Sequence, residues 1–420
     1  MKEFDARREK LFELLPDNSV ALVFSGMAKV KSEDEDYPFF ANRNFFYLTG
    51  IEQENSTLML IKCPGERKAY LFLDEYNELK ERWTGKRLSF DAASEISQIE
   101  NVYSNNNFDT MLSMALAKEN NIYGEVKNLF LDLSDELKIR PNQSTQLYRD
   151  ELLKQYPHLN FENVHPLIIE LRLVKSESEI ADIVEAINVT NIGINDMLKN
   201  LHIGLVEHEL SDRFEYYGKT HGRRELAFEP IVASGVNATI LHHPTTQQTK
   251  AIEADELVLF DLGYSFNGYH ADISRTYPVS GTFTDRQREI YLAVYNCNLA
   301  VIDFIKPGLS LLDLQDYAIK TLKIECLKRG LIENEDDIYK YFIHSVSHFL
   351  GLDTHDVGTK DRKLVAGNVI TVEPGLYFVE DGIGVRIEDD VLVTETGAVC
   401  LSNRIKKELS DVERLLKNRF

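Results

Sequence analysis

Four carboxylates, Asp261, Asp272, Glu373 and Glu388, fall into two pairs, and His348 lies between the pairs in the chain. Acids rarely enter strands rich in Val, Ile and Leu without a partner. Two acids pressed together repel, and a cation is the natural compensation. A solvated acidic face would account for one isolated pair. Two pairs, each set in apolar strands and joined by an imidazole, point instead to a metal centre.

Each pair sits on a segment that reads as a β-hairpin. In LVLFDLGYSFNGYHADISRTYPV (257–279), Asn267-Gly268 predicts a tight two-residue turn. Phe266 then faces Tyr269 and Gly263 faces Asp272, so Asp261 shares a face with Asp272. The two are diagonal neighbours, roughly 7 Å apart at the backbone, with only a glycine hydrogen beside them. In NVITVEPGLYFVEDGIGVRIEDDVLVTE, an apolar run reaches Glu373, Pro374-Gly375 breaks it, and a turn falls near Asp381-Gly382. On the returning strand Arg386 and Glu388 share one face. Pairing about Asp381-Gly382 puts Glu388 opposite Gly375, on the face of Glu373, although the Pro-Gly kink leaves this register open.

The chain has 420 residues, 43% hydrophobic and 27% charged, which suits two globular domains. A net charge of −21 argues against a nucleic-acid partner, which would need a basic face. The segment MKEFDARREKLFELLPDN is charged and amphipathic rather than a signal peptide, and no apolar run is long enough to span a bilayer. Cys63, Cys297, Cys326 and Cys400 show neither CxxC nor zinc-knuckle spacing. Free thiols in the cytoplasm, with no membrane partner, are the expectation.

The first part alternates helix and strand patterns, as an α/β domain does. Residues 4–15 read as a helix stopped by Pro16. SVALVFSG, STLMLIK, KAYLFLD, NIYGEV and NLFLDL read as strands, with FDTMLSMALAKE helical between them. A boundary is expected at 166–174, giving domains 1–170 and 171–420. Directly after it, Ser176 to Glu179 forms a capping box that opens a long helix. Further helices are expected over 207–218, 285–304 and 312–329.

Five separated motifs now carry a resemblance. They are ASGVNATILHHP, DLGYSFNGYHADISRTYPV, HSVSHFLGLDTHDVG, TVEPGLYF and GVRIEDDVLVTETG, in this order over nearly all of 175–405. The chain resembles the proline-specific "pita-bread" metallopeptidases, most closely the Xaa-Pro aminopeptidases. YPFFANRNFFYLTG (37–50) and ERWTGKRL (81–88) look like the aminopeptidase P N-terminal domain, which methionine aminopeptidases lack. The resemblance implies an α/β N-terminal domain followed by an α+β pita-bread catalytic domain.

Carried over, the five metal ligands fall on Asp261, Asp272, His348, Glu373 and Glu388. By resemblance, Asp261 would chelate one metal, Asp272 and Glu388 would bridge two, and His348 and Glu373 would hold the second. Such a hard, oxygen-rich set suits divalent ions, and the resemblance implies manganese. A metal-bridging hydroxide would attack the bond before a penultimate proline, with Glu373 carrying the proton to the leaving nitrogen. That nitrogen belongs to a tertiary amide, so the pocket must fit a pyrrolidine ring. His355 and His242 would act at the scissile carbonyl, His344 would line the site beyond proline, and Arg386 and Tyr377 would form a proton network with Asp261, joined by Asp34. His243 and His270 are expected at the surface or behind the site.

The chain departs from the pattern at Ser345, where glycine is usual, at Phe40 and Asn44, where many members carry Arg and Asp, and at His270-Ala271. None removes a ligand. An Xaa-Pro dipeptidase shares the fold and ligands, but the N-terminal signature favours the aminopeptidase. A catalytically inactive peptide-binding relative would have lost ligands, and all five are present. The implied assembly is a homodimer or homotetramer.

Overall fold

The computed structural model describes residues 3–118, 123–133, 143–222 and 225–417. They divide into two compact units, Met1–Arg172 and Leu173–Phe420.

The first unit is built on a six-stranded mixed sheet. Its strands run in the order Asn101–Ser104, Glu66–Leu73, Thr57–Cys63, Ser19–Phe24, Asn128–Leu131 and Asn160–Asn163. Ser19–Phe24 pairs antiparallel with Thr57–Cys63 and parallel with Asn128–Leu131. It is buried at every position but the last, which explains its unbroken apolar sequence: both faces are covered. The strand expected at NIYGEV does not form over 123–126, and Asn121 and Ile122 lie outside the described residues. Gly124, at φ +96°, turns the backbone out of the extended region there.

Within 37–50, the helix Arg43–Thr49 is capped by the Asn42 side chain and closed by left-handed Gly50. Asn44, one of the departures noted above, is buried in this unit. Its amide nitrogen lies 2.9 Å from Asp132 and 2.8 Å from His165, and its oxygen accepts from Arg172 at 2.9 Å. Phe40 is exposed beneath the Arg43 guanidinium. Asp34 is exposed in the turn between Val30–Ser32 and Glu35–Asp36.

The second unit opens as the sequence predicts. Ser176 and Glu179 form the capping box of helix Glu177–Asn200. Helices Glu207–Thr220, Asp285–Phe304 and Leu311–Lys328 follow. Two three-stranded antiparallel sheets carry the hairpins, with Leu257–Leu262 at the centre of one and Asp389–Val393 at the centre of the other.

In the first hairpin, Phe266 faces Tyr269 and Asp261 faces Ser274, one register throughout. Asn267 (φ +50°) and Gly268 (φ +81°) are both left-handed, as a type I′ turn requires. The second hairpin corrects the expected register by two residues. Gly375 faces Arg386, not Glu388, while Val372 faces Asp389. Counting inward from both sides sets Glu373 directly opposite Glu388. The cause is the turn: residues 379–382 form a four-residue connection with a 3-10 turn and left-handed Gly382, so the strands begin to pair at Phe378 and Ile383. A shift of two leaves every side chain on its own face, so the glutamates still point the same way.

The hairpins are also bonded to each other. Glu388 N donates to Ser274 O at 3.0 Å, and Thr276 Oγ1 exchanges bonds with the Arg386 backbone at 3.1 and 3.2 Å. The strand after Asp272 therefore runs beside the strand that carries Glu388.

Candidate metal centre and substrate cavity

Gly263 explains how the first pair is set so closely. A Cβ there would lie 2.0 Å from the Ala271 carbonyl oxygen, so only glycine lets the strands pass between the two aspartates. Asp272 is then fixed by its backbone N–H, which donates to Asp390 Oδ2 at 3.2 Å. Asp390 is fully buried, and its carboxyl is pushed well above the usual range by that burial and by the Asp272 charge. Across the site, Glu373 N donates to Val346 O at 2.8 Å and Thr371 N to His348 O at 2.9 Å. These bonds stitch the histidine segment to the glutamate strand.

Asp272, His348 and Glu388 each offer a ligand atom, all within 4.8 Å of one another. Glu373 joins through His348, whose Nε2 lies 3.5 Å from Glu373 Oε1 and 3.4 Å from Asp272 Oδ2. Asp261 lies beside this group and is drawn to Arg386, 2.6 Å from Oδ2, while its other oxygen is buried without a hydrogen bond. All five sequence candidates are thus contiguous, with three in the tightest group.

The donor set fits a cation. His348 Nδ1 lies 3.0 Å from the Phe349 carbonyl, which can only accept, so that nitrogen carries the proton. In the neutral ring the Nε2 lone pair then faces two carboxylates, an arrangement that metal-binding histidines share. The acids register the same strain. Burial, followed by the neighbouring Glu388 charge, pushes Asp272 and Glu373 well above the usual carboxylate range. Burial and Asp261 push Glu388 up to about 7. A divalent ion relieves all of these repulsions at once.

Around this centre lies a polar network. Arg386 donates to Asp261 at 2.6 Å, to the Tyr377 hydroxyl at 3.1 Å and to Ser274 Oγ at 2.7 Å. The Ser274 hydroxyl in turn donates a hydrogen bond to Glu388 Oε2 at 2.7 Å. The arginine therefore pairs with Asp261 and reaches Glu388 through a serine that sequence reasoning did not single out. His344 Nδ1 faces the Ser345 carbonyl at 2.9 Å, so its Nε2 accepts from Tyr377, also at 2.9 Å. Burial, reinforced by the Arg386 charge, pushes His344 down to about 4 and keeps it neutral.

His355 and His242 are exposed to a cavity of about 430 Å³ that the metal-site candidates also line. The His348 and His355 rings meet edge to face at 4.3 Å. Burial, then His348 and His242, lowers the His355 pKa. The loop bearing His355 closes over an ion pair missed in the sequence, Lys175 Nζ to Asp356 Oδ2 at 2.9 Å, both side chains 1% exposed. His243 is buried, not at the surface, with Nε2 3.2 Å from Glu207. That carboxylate also accepts from Ser234 and Asn237, which tethers the segment leading to His242. His270 Nδ1 lies 2.9 Å from Thr354 Oγ1.

Comparison with known proteins adds an independent line. The family model described as Metallopeptidase family M24 matches residues 181–395, and that described as Aminopeptidase P, N-terminal domain, matches 4–123. An Xaa-Pro aminopeptidase of Haemophilus influenzae is 34% identical over 437 aligned residues, spanning 99% of this chain and 97% of its own. A solved Bacillus anthracis structure, provisionally assigned as an aminopeptidase P, is 41% identical, with a TM-score of 0.95 over 100% of this chain and 99% of that one. Aminopeptidase P from Escherichia coli with the inhibitor Pro-Leu is 30% identical, with a TM-score of 0.89 over 99% and 98% of the two chains.

Proposed function

The chain belongs to metallopeptidase family M24, and we propose that it removes the first residue from peptides with proline second. It is a metallo-exopeptidase with an α/β N-terminal domain and an α+β pita-bread catalytic domain. We place the boundary between them at 170/171. The observation that carries the reading is the convergence of Asp272, His348 and Glu388 within 4.8 Å, beside Asp261 and Glu373 in the lining of one cavity.

The family implies divalent metal, and in our reading the five ligands hold two ions, manganese by preference. When bound, such ions supply Lewis acidity and a nucleophile at neutral pH. Glu373 takes the proton from the attacking water and delivers it to the proline nitrogen. His242 and His355 steady the scissile carbonyl and the charge that develops on it. Tyr377 and Arg386 hold Asp261 in place, and His344, kept neutral, lines the cavity beyond proline. We further propose a homodimer or homotetramer in the cytoplasm. The four free cysteines, three of them buried, are consistent with a reducing compartment. Among the described residues, no helix is long and apolar enough to cross a membrane.

The test is product identification by mass after incubating manganese-loaded protein with Ala-Pro and with longer Ala-Pro-Yaa peptides. Release of alanine from the longer peptides is expected. Cleavage confined to the dipeptide would make the protein a dipeptidase, and no cleavage of either, with bound metal verified, would overturn the enzyme reading.

A further inference from the structure

We propose that Lys360, seated on Ser345, forms a carboxylate subsite that holds the C-terminus of tripeptide substrates. The inference rests on the Xaa-Pro reading and specifies which peptides the site favours.

Two permanent cations, Arg386 and Lys360, line the 430 Å³ cavity among the described residues. Arg386 is committed to Asp261, Tyr377 and Ser274. Lys360 is not committed in this way. Its Nζ donates to the neutral Ser345 hydroxyl at 2.5 Å, and an ammonium has three N–H donors. Two donors and a full charge are left for a ligand. The Ser345 hydroxyl seats the ammonium without neutralising it.

A second cavity, also about 430 Å³, meets the first at His344, Ser345 and Lys360 and extends to Ile319, Phe342 and Ile343. In our reading His344 lines the site beyond proline, and it borders both cavities, so this apolar cleft then lies in the direction of the departing chain. A single residue after proline would put its side chain against Phe342 and Ile343 and its carboxylate on Lys360. In a longer peptide a neutral amide takes the carboxylate's place, and the charge-assisted bond is lost. Lys360 is exposed, so water screens the pair and the gain is modest, roughly tenfold in kcat/KM.

The experiment compares kcat/KM for Ala-Pro-Phe and Ala-Pro-Phe-amide at saturating manganese, in the unmodified protein and in Lys360→Met. The expected result is an acid preference of about tenfold, expressed mainly in KM, that collapses toward one in Lys360→Met and persists in Lys360→Arg. Equal turnover of acid and amide by the unmodified protein would overturn the inference while leaving the Xaa-Pro reading intact. An acid preference that survives Lys360→Met would overturn it as well. Turnover of neither peptide would overturn the Xaa-Pro reading, and this inference with it.

Discussion

The two acidic hairpins do the same job with different tolerances. The first closes through a two-residue turn, sets its aspartates diagonally and depends on Gly263 to let the strands pass. The second closes through four residues and sets its longer glutamates face to face across a Pro-Gly kink. Short acids demand close strands, whereas longer acids can reach across a looser ladder. The first hairpin should therefore fail by misfolding, and the second by losing chemistry.

Gly263→Ala should have the largest effect. Its methyl meets backbone at 2.0 Å rather than a movable side chain, so a cost above about 3 kcal/mol and loss of soluble catalytic protein are expected. A normal melting curve would remove the asymmetry. Glu373→Gln should retain the fold and peptide binding while losing kcat by about 10³-fold, as expected for a lost proton carrier; steady-state kinetics beside a direct binding assay separate the two. In Gly375→Ala the added methyl meets the Tyr377 hydroxyl at 2.5 Å and His344 at 3.0 Å, both of them side-chain atoms. Activity should fall roughly tenfold to a hundredfold with a much smaller change in Tm than Gly263→Ala gives.

A pH series probes both hairpins together. Burial and mutual repulsion raise the folded-state pKa of Asp272, Glu373 and Glu388 above their unfolded values. Between the usual carboxylate range and about 7, the folded metal-free protein therefore binds more protons than the unfolded chain, and its stability falls as pH rises. Metal replaces those protons. The Tm gap between manganese-loaded and chelator-treated protein should widen from acidic to neutral pH, and a gap independent of pH would contradict the repulsion argument. The turns should give the smallest effects. Asn267→Ala, at φ +50°, should cost about 1 kcal/mol. Asp381→Ala loses an exposed bond to Arg286 and should stay within about 0.5 kcal/mol in denaturant unfolding.

Much of this was legible because the signals were local. Asn267-Gly268 set one register, Ser176 and Glu179 set a helix start, and apolar strands bracketed the acids. The second register was misread because Asp381-Gly382 resembles a two-residue turn while the chain uses residues 379–382. The face assignment survived, since face depends only on whether a register shift is odd or even. What stayed hidden depends on partners far apart in the chain. Ser274 links Arg386 to Glu388, Lys175 meets Asp356, and buried Arg275 and Lys407 converge on Asp389 at 2.8 and 2.6 Å. A lone serine, lysine or arginine carries no periodicity that names its partner. The candidate ligand set escaped that limit because its acids sit on hairpins whose turns and apolar strands are read locally, and the family resemblance then falls on the same five residues.

In our reading both hairpins contribute to one dinuclear site. Equilibrium dialysis against manganese, followed by elemental analysis, tests it on the unmodified protein, Asp272→Asn and Glu388→Gln. A pair of ions per chain is expected in the unmodified protein, and a lower count in both variants. Undiminished binding in either variant, or none in the unmodified protein, would contradict it.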